Sequence, residues 1–204
     1  MNPLLPPTDP LRHELAGIAA RLIAENGYDY GTAKQKAAQE LLGKQRVDKN
    51  SLPSNEEVEE ELRIYQSLFQ ADTQPQRLKA LRQTCLNLMQ SLQAYEPIVY
   101  GGIVNGTAGE HSDIHLLAFA DDPKEVDYWL LNQNIPFEPA EVGKINGKVP
   151  DAIQFKFKGE WVTLATLNVV ARRGLLKPAV DGRLFRTDTS GLEQLLREND
   201  ETVE

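Results

Sequence analysis

The residues from Gly101 to His115 (GGIVNGTAGEHSDIH) hold the types and spacings most able to do chemistry in this chain. Glycines stand at 101, 102, 106 and 109, after the apolar run Ile98-Val99-Tyr100. A glycine-rich turn lets backbone N–H groups approach an anion, so this loop predicts a phosphate cradle. Asp113 and His115 then flank Ile114, at the start of a second apolar run that ends in Phe119. On a strand, positions i and i+2 point to one face. Strand, glycine turn and a polar pair on the next strand is a layout for a phosphate or metal site. The phosphate-binding set read from it is Gly101, Gly102, Asn105, Gly106 and Ser112. A basic stretch further on, Arg172, Arg173, Lys177, Arg183 and Arg186, offers guanidinium forks that match phosphate. Arg172 and Arg173 join the set on that ground. The plainer reading of the stretch is a solvated basic edge that discourages strand pairing. His111, Asp113 and His115 also have the chemistry of a transition-metal site, since imidazole suits such ions. The plainer alternative is a satisfied strand histidine at 115 and a loop histidine at 111.

These residues need elements to hold them. Leu11, Leu15, Ile18 and Leu22 recur at helical spacing, with Asn26-Gly27 as the stop. A second helix is expected over about 30–42, ending at Gly43, then a polar loop from Lys44 to Pro53. Ser54 and Glu57 form a capping-box pattern before the stripe Val58, Leu62, Tyr65 and Phe69. Leu78, Leu81, Cys85, Leu88 and Leu92 predict a fourth helix running to about Tyr95, with Cys85 a core residue. After Glu96-Pro97 the period changes. Ile98–Tyr100 and Ile114–Phe119 read as strands, and Asp122-Pro123-Lys124-Glu125 opens a helix. Residues 135–185 read as hairpins, with turn signals at Asn146-Gly147, Lys158-Gly159 and Asp181-Gly182. Ser190 with Glu193 opens a last helix, and Asp200–Glu204 is an acidic tail. The fold class is therefore α+β: a helical region over 1–95 with four helices, then an α+β domain over 96–204.

The stretch Gly101-Gly102-Ile103-Val104-Asn105-Gly106 with Ser112-Asp113-Ile114-His115-Leu116 resembles the signature of the nucleotidyltransferase superfamily of the DNA polymerase β type, in its small "minimal" form. The resemblance covers about residues 96–170. The helical half is also similar to that of a group of bacterial proteins carrying such a domain. The resemblance implies a mixed or antiparallel sheet with flanking helices. It also implies an NTP whose triphosphate lies on the glycine turn, and two Mg²⁺ ions held by two carboxylates of one strand and a third from a neighbouring antiparallel strand. Those metals would stabilise the attacking and leaving oxygens of an in-line displacement. The sequence departs from that pattern at three places. Gly102 replaces a Ser, His115 replaces the second Asp, and Thr163 and Thr166 stand where the third acid is expected, with Glu160 the nearest carboxylate. Asp113 is the surviving metal carboxylate, with His115 beside it as the other candidate catalytic group. One carboxylate and an imidazole do not make a two-Mg²⁺ site, so Mg²⁺ is expected only if activity remains. The expected function is a degenerate member that binds a nucleotide, a nucleic-acid end or a partner protein. The alternatives are an active nucleotidyltransferase and a purely structural or regulatory interaction module.

Length and charge bound the rest. The chain has 204 residues and a net charge of −8, which opposes whole-protein attraction to nucleic acid or anionic lipid. A helix–Gly-Tyr–helix rhythm over Ile18–Gly43 is loosely similar to DNA-binding regulators. The acidic segment that follows argues against nucleic acid there, and packing or self-association into a homo-oligomer is the simpler use. The single cysteine excludes an internal disulfide and a Cys-based zinc site. It fits a reducing cytoplasm. No signal peptide or membrane span is expected.

Overall fold

The structure is a computed structural model that describes residues 9–43, 51–145, 147, 149–178 and 182–201. Among the described residues it is α+β, with an N-terminal helical region, seven α-helices in all and a six-stranded mixed sheet. The chain forms two compact units. One is Met1–Pro75 with Gly109–His111, the other Gln76–Ala108 with Ser112–Glu204. Residues 1–8, Lys44–Asn50, Asn146, Asp181 and the last three residues of the acidic tail lie outside the described residues.

In the first unit, α1 (Pro10–Asn26) packs against α2 (Tyr30–Leu42) and α3 (Asn55–Phe69). Its contacts are small: Ala16, Ala19, Ala33 and Ala37 are fully buried around Leu15 and Val58. Alanine faces let helix backbones approach closely and cost little side-chain entropy. Gly27 ends α1 at φ +70° and Gly43 ends α2 at φ +63°, the left-handed region that favours glycine. Asp29 caps α2 by accepting from Thr32 N at 3.0 Å, and hydrogen bonding first from the Thr32 side chain and then from its amide holds the carboxyl below the ordinary range. The capping box at α3 is present in full. Ser54 Oγ accepts from Glu57 N at 3.1 Å, and Glu57 Oε2 accepts from Ser54 N at 2.6 Å. The apolar stripe of α3 differs from its expected course. Val58 and Leu62 are buried, but the inner face continues through Gln66, and Phe69 is 70% exposed. The lysines of α2 are engaged inside this unit: Lys34 donates to Asn55 at 2.8 Å, and Lys36 lies over the Tyr28 ring.

The change of period at residue 96 assigns α4 (Gln74–Ser91) to the helical half, but all of it from Gln76 on belongs to the second unit. Its stripe Leu78, Leu81, Cys85, Leu88, together with Leu92, is instead buried against Val99, Leu116, Val162 and Leu164 of the sheet. Each such burial contributes about 1.5–3 kcal/mol. The helix stops at Ser91, and a 3-10 turn carries the chain to Tyr95. The strands are β1 (Ile98–Tyr100), β2 (Ile114–Phe119), β3 (Phe137–Pro139), β4 (Asp151–Phe157), β5 (Glu160–Leu167) and β6 (Arg186–Thr187). Their order is β3-β4-β5-β2-β1-β6. All pairs are antiparallel except β2 with β5, which is parallel. The neighbour of β2 that the resemblance makes antiparallel is thus parallel here. Lys158-Gly159, the least marked of the three turn signals, makes the tight β4–β5 hairpin with φ +49° and +89°. A one-turn helix, α5 (Gly102–Asn105), lies between β1 and β2. At α6 (Lys124–Asn132), Asp122 Oδ1 accepts from Lys124 N and Glu125 Oε1 from Asp122 N, the expected cap. The last helix, α7 (Thr189–Glu201), is capped by Asp188, which accepts from Gly191 N at 3.0 Å, rather than by Ser190. Among the described residues, no helix is long and apolar enough to cross a membrane.

Candidate functional site

The glycine turn is built for packing. Gly102 O accepts from Gly106 N at 2.9 Å and from Ala108 N at 3.0 Å, while Gly101 O accepts from Val104 N and Asn105 N. Asn105 Oδ1 accepts from Thr107 N at 3.0 Å and Thr107 Oγ1 at 2.8 Å. The amides from Val104 to Ala108 are all used inside the turn, so they do not project to a phosphate. Gly102 is tied to its residue type by space. A Cβ there would lie 2.9 Å from Ala108 N and 3.1 Å from Ala108 Cα. A serine at this position would meet the same backbone. The turn also rests on a group the sequence reading missed. Arg82 of α4 is 4% exposed, and its Nε donates to Ile103 O at 2.9 Å. Burial depresses its pKa, with the charge of Glu198 opposing.

The polar pair is placed by β2. Ile114, Leu116 and Ala118 turn to the face packed by α4, so His115 takes the opposite face by alternation. There the His115 ring stacks on Tyr100 with centroids 5.5 Å apart. Burial lowers the imidazole pKa and Asp113 opposes it, so the ring favours its neutral form. Asp113 precedes β2 and is exposed as a residue, yet enough protein surrounds its carboxyl to raise its pKa by desolvation. His115 works against that rise and the Glu160 charge adds to it.

Strand register decides what stands beside the pair. Thr163 is the Cα partner of His115 across β2–β5, and Gln154 is the partner of Thr163 across β4–β5. Thr166 belongs to the other face, with Ala118 as its partner. Glu160 also falls on the α4 side of β5 by alternation, where Arg77 of α4 holds it with two hydrogen bonds at 2.6 and 2.7 Å. That pairing keeps the Glu160 carboxyl below its ordinary range, against the cost of burial. The position beside His115 across β2–β5 is therefore a hydroxyl, and Glu160, the acid of that strand, is paired with Arg77. His111 belongs to the first unit, where a Cβ on Gly27 would lie 2.6 Å from its own Cβ. Gly109 lies in that unit too, beside Gln66. Among the described residues, no group of three His, Cys, Asp or Glu is placed to hold a metal ion. A hard cation such as Mg²⁺ wants several oxygen ligands, and Asp113 beside a neutral imidazole and a threonine does not supply them.

Comparison with known proteins adds little to this geometry. No family model matches the chain, and no curated protein matches it. Among solved structures, an enzyme described as a cytoplasmic RNA terminal U-transferase is similar over 58% of this chain at 18% identity, with a TM-score of 0.24. This chain spans 31% of that enzyme's length. At that TM-score the likeness carries no argument about the site.

The arginines proposed for phosphate separate from the turn. Arg172 pairs with Glu96 at 3.0 Å, just before β1, whereas Gly101 and Gly102 follow its end. At about 3.3 Å per residue the two ends of that strand are roughly 10 Å or more apart. Arg173 is exposed. The segment carrying them, through Ala171, Leu175 and Leu176, covers Ile98, Leu117, Phe119 and Ala165 on the apolar half of the His115 face. The basic residue brought to the glycine end is Arg186, the partner of Tyr100 in β6. Its charge lowers the Tyr100 pKa, which burial raises.

The result is a line the sequence did not reveal. Glu138, Gln154, Thr163, His115, Tyr100 and Arg186 are successive Cα partners across all six strands. Paired residues share a face, so one sheet face carries an unbroken polar row. Every strand contributes one residue. This row can hydrogen-bond a ligand laid across the sheet, but it lacks the acids to bind catalytic metals.

Proposed function

We propose that this protein is a nucleotidyltransferase-like binding module that has given up metal-dependent nucleotidyl transfer and uses the polar sheet face to hold a nucleotide. The observation that carries the reading is Thr163 beside His115 in the β2–β5 register, with Glu160 turned to Arg77. Two of the three metal positions implied by the sequence resemblance are then a hydroxyl and an imidazole. Asp113 remains as a hydrogen-bond acceptor, and Tyr100 and His115 stand in line with Thr163 and Gln154. A cytoplasmic location fits the one cysteine, Cys85, which is free, buried, and raised in pKa by burial.

Calorimetry with each NTP, with and without Mg²⁺ or Mn²⁺, tests the reading. The expected result is binding that does not depend on the metal, with no labelled NMP transferred to RNA, DNA or protein acceptors. Incorporation that disappears in Asp113→Ala would overturn it and restore the enzyme. Absence of heat with every nucleotide would leave an interaction module in its place.

A further inference from the structure

We infer that the second unit carries a small-molecule site at its β3–β4–β5 edge, which takes a planar aromatic ring bearing one anionic group. A cavity of about 310 Å³ lies there, lined by Pro136, Phe137, Glu138, Gln154, Phe155, Lys156 and Trp161. That volume stands at the small end of ligand pockets, enough for one ring or a fused pair. The register explains its shape. Lys156 is the partner of Trp161, Gln154 the partner of both Glu138 and Thr163, and Phe137 the partner of Phe155. Gln154, Lys156, Trp161 and Glu138 therefore share the face of His115 and Thr163, while Phe155, 1% exposed, anchors the floor in the core.

The chemistry of the walls selects the ligand. Trp161 is 43% exposed although it sits on a sheet face, so a large indole is presented rather than packed. The Lys156 ammonium stands 4.9 Å from the Trp161 ring centroid, which fixes a positive charge at the rim of an apolar cavity. Glu138, the acid in the lining, accepts from Gln154 Nε2 at 2.6 Å and is thereby satisfied from the strand beside it. A ring fits against Pro136 and the exposed Trp161 indole, and its anionic substituent meets Lys156. Two sources supply that chemistry: a nucleoside monophosphate, whose phosphate is the anion, and an aromatic carboxylate. The site does not depend on the nucleotide reading above, and the test keeps the two apart.

The test is a ¹⁵N–¹H NMR titration of the full chain, reading the two indole N–H signals of Trp129 and Trp161, the latter assigned by its loss in Trp161→Phe. The probes are AMP with adenosine, and 4-aminobenzoate with 4-aminobenzamide. For the charged member of at least one pair, the Trp161 signal should move saturably with a midpoint below about 5 mM, while that of Trp129 stays. Lys156→Gln should weaken that charged probe roughly three- to ten-fold and change its neutral partner less than about two-fold. Stronger binding of AMP identifies a nucleotide as the occupant, and stronger binding of the benzoate an aromatic acid. Either supports the site. If 4-aminobenzoate binds here and no nucleotide does, the site stands and the nucleotide reading falls. If nucleotides bind by calorimetry but none of the four probes moves the Trp161 signal, the reverse holds. The inference is also overturned if no probe shifts Trp161, or if Lys156→Gln weakens charged and neutral probes alike. Both substituted side chains are exposed, and unchanged amide dispersion checks that each variant folds.

Discussion

Gly102→Ala is the sharpest test of how the glycine turn is made. Two effects oppose each other. Replacing a helical glycine by alanine ordinarily stabilises by up to about 1 kcal/mol, because the unfolded chain loses freedom. At Gly102 the new Cβ lies 2.9 Å from Ala108 N, 3.1 Å from Ala108 Cα and 3.3 Å from Ala108 Cβ. Two of these atoms are backbone, and Ala108 N is itself bonded to Gly102 O at 3.0 Å, so the neighbour cannot move without loosening that bond. Overpacking of this kind costs about 1–3 kcal/mol, and the net expectation is destabilisation by roughly 1–2 kcal/mol. For a chain of this size that lowers Tm by about 2–8 °C. Gly17→Ala is the control: it is also helical, and its Cβ would meet nothing nearer than Glu61 Oε2 at 3.9 Å. That variant should rise in stability, so the two substitutions have opposite signs. Urea midpoints at constant m-value measure both. A Gly102→Ala midpoint equal to or above that of the unsubstituted protein would refute the closed turn and reopen Gly102 as a phosphate contact.

Two other substitutions probe groups that position the site or the helical unit. Arg82→Met removes the donor to Ile103 O and should cost about 1–3 kcal/mol for the buried carbonyl left behind; an unchanged urea midpoint would show that Arg82 does not support the turn. Glu57 is held below the ordinary carboxylate range, first by the Arg12 guanidinium and also by Ser54 N. Its stability contribution is therefore present above the unfolded value of about 4.3 and is lost as pH falls through the lower folded value. The midpoint difference between the protein and Glu57→Gln should be largest near pH 6 and shrink toward pH 3, and a difference constant with pH would contradict the pairing.

What was legible in the sequence is what local chemistry decides. The ends of α1 and α2 at Gly27 and Gly43, and the Ser54–Glu57 box, need only a few neighbouring residues, and the residues announce them. The extents of β1 and β2 followed from short apolar runs bounded by polar or glycine residues. Pairings between distant residues were hidden. The parallel register of β2 with β5 joins positions 48 apart, as His115 with Thr163 shows, and no local signal encodes it. Alternation could have warned that Glu160 and Thr163 take opposite faces of one strand. Arg82 also left a trace: it lies four residues after Leu78 and three before Cys85, inside an apolar stripe, where a charged residue must find partners. Phe69 misled because helical spacing places a residue on a face without saying where the neighbouring helix ends; Gln66 occupies the inner position instead.

The division of the sheet face locates where binding can occur. Its apolar half, through Ile98, Leu117, Phe119 and Ala165, is covered by Ala171, Leu175 and Leu176. Covering that half satisfies the hydrophobic effect, and of the row from Glu138 to Arg186 Tyr100 packs against the edge of that cluster. Within Gly101–His115 the two ends then have different uses. The glycine end is closed by Ala108 and supported by Arg82, which makes it a rigid joint between β1 and β2. At the other end His115 delivers its side chain to the polar row, beside Thr163 and within two strands of the Trp161 cavity. At about 4.8 Å between strands, that cavity and His115 lie roughly 10–15 Å apart. That is the span of one mononucleotide, so a ligand held at one end of the row is within reach of the other.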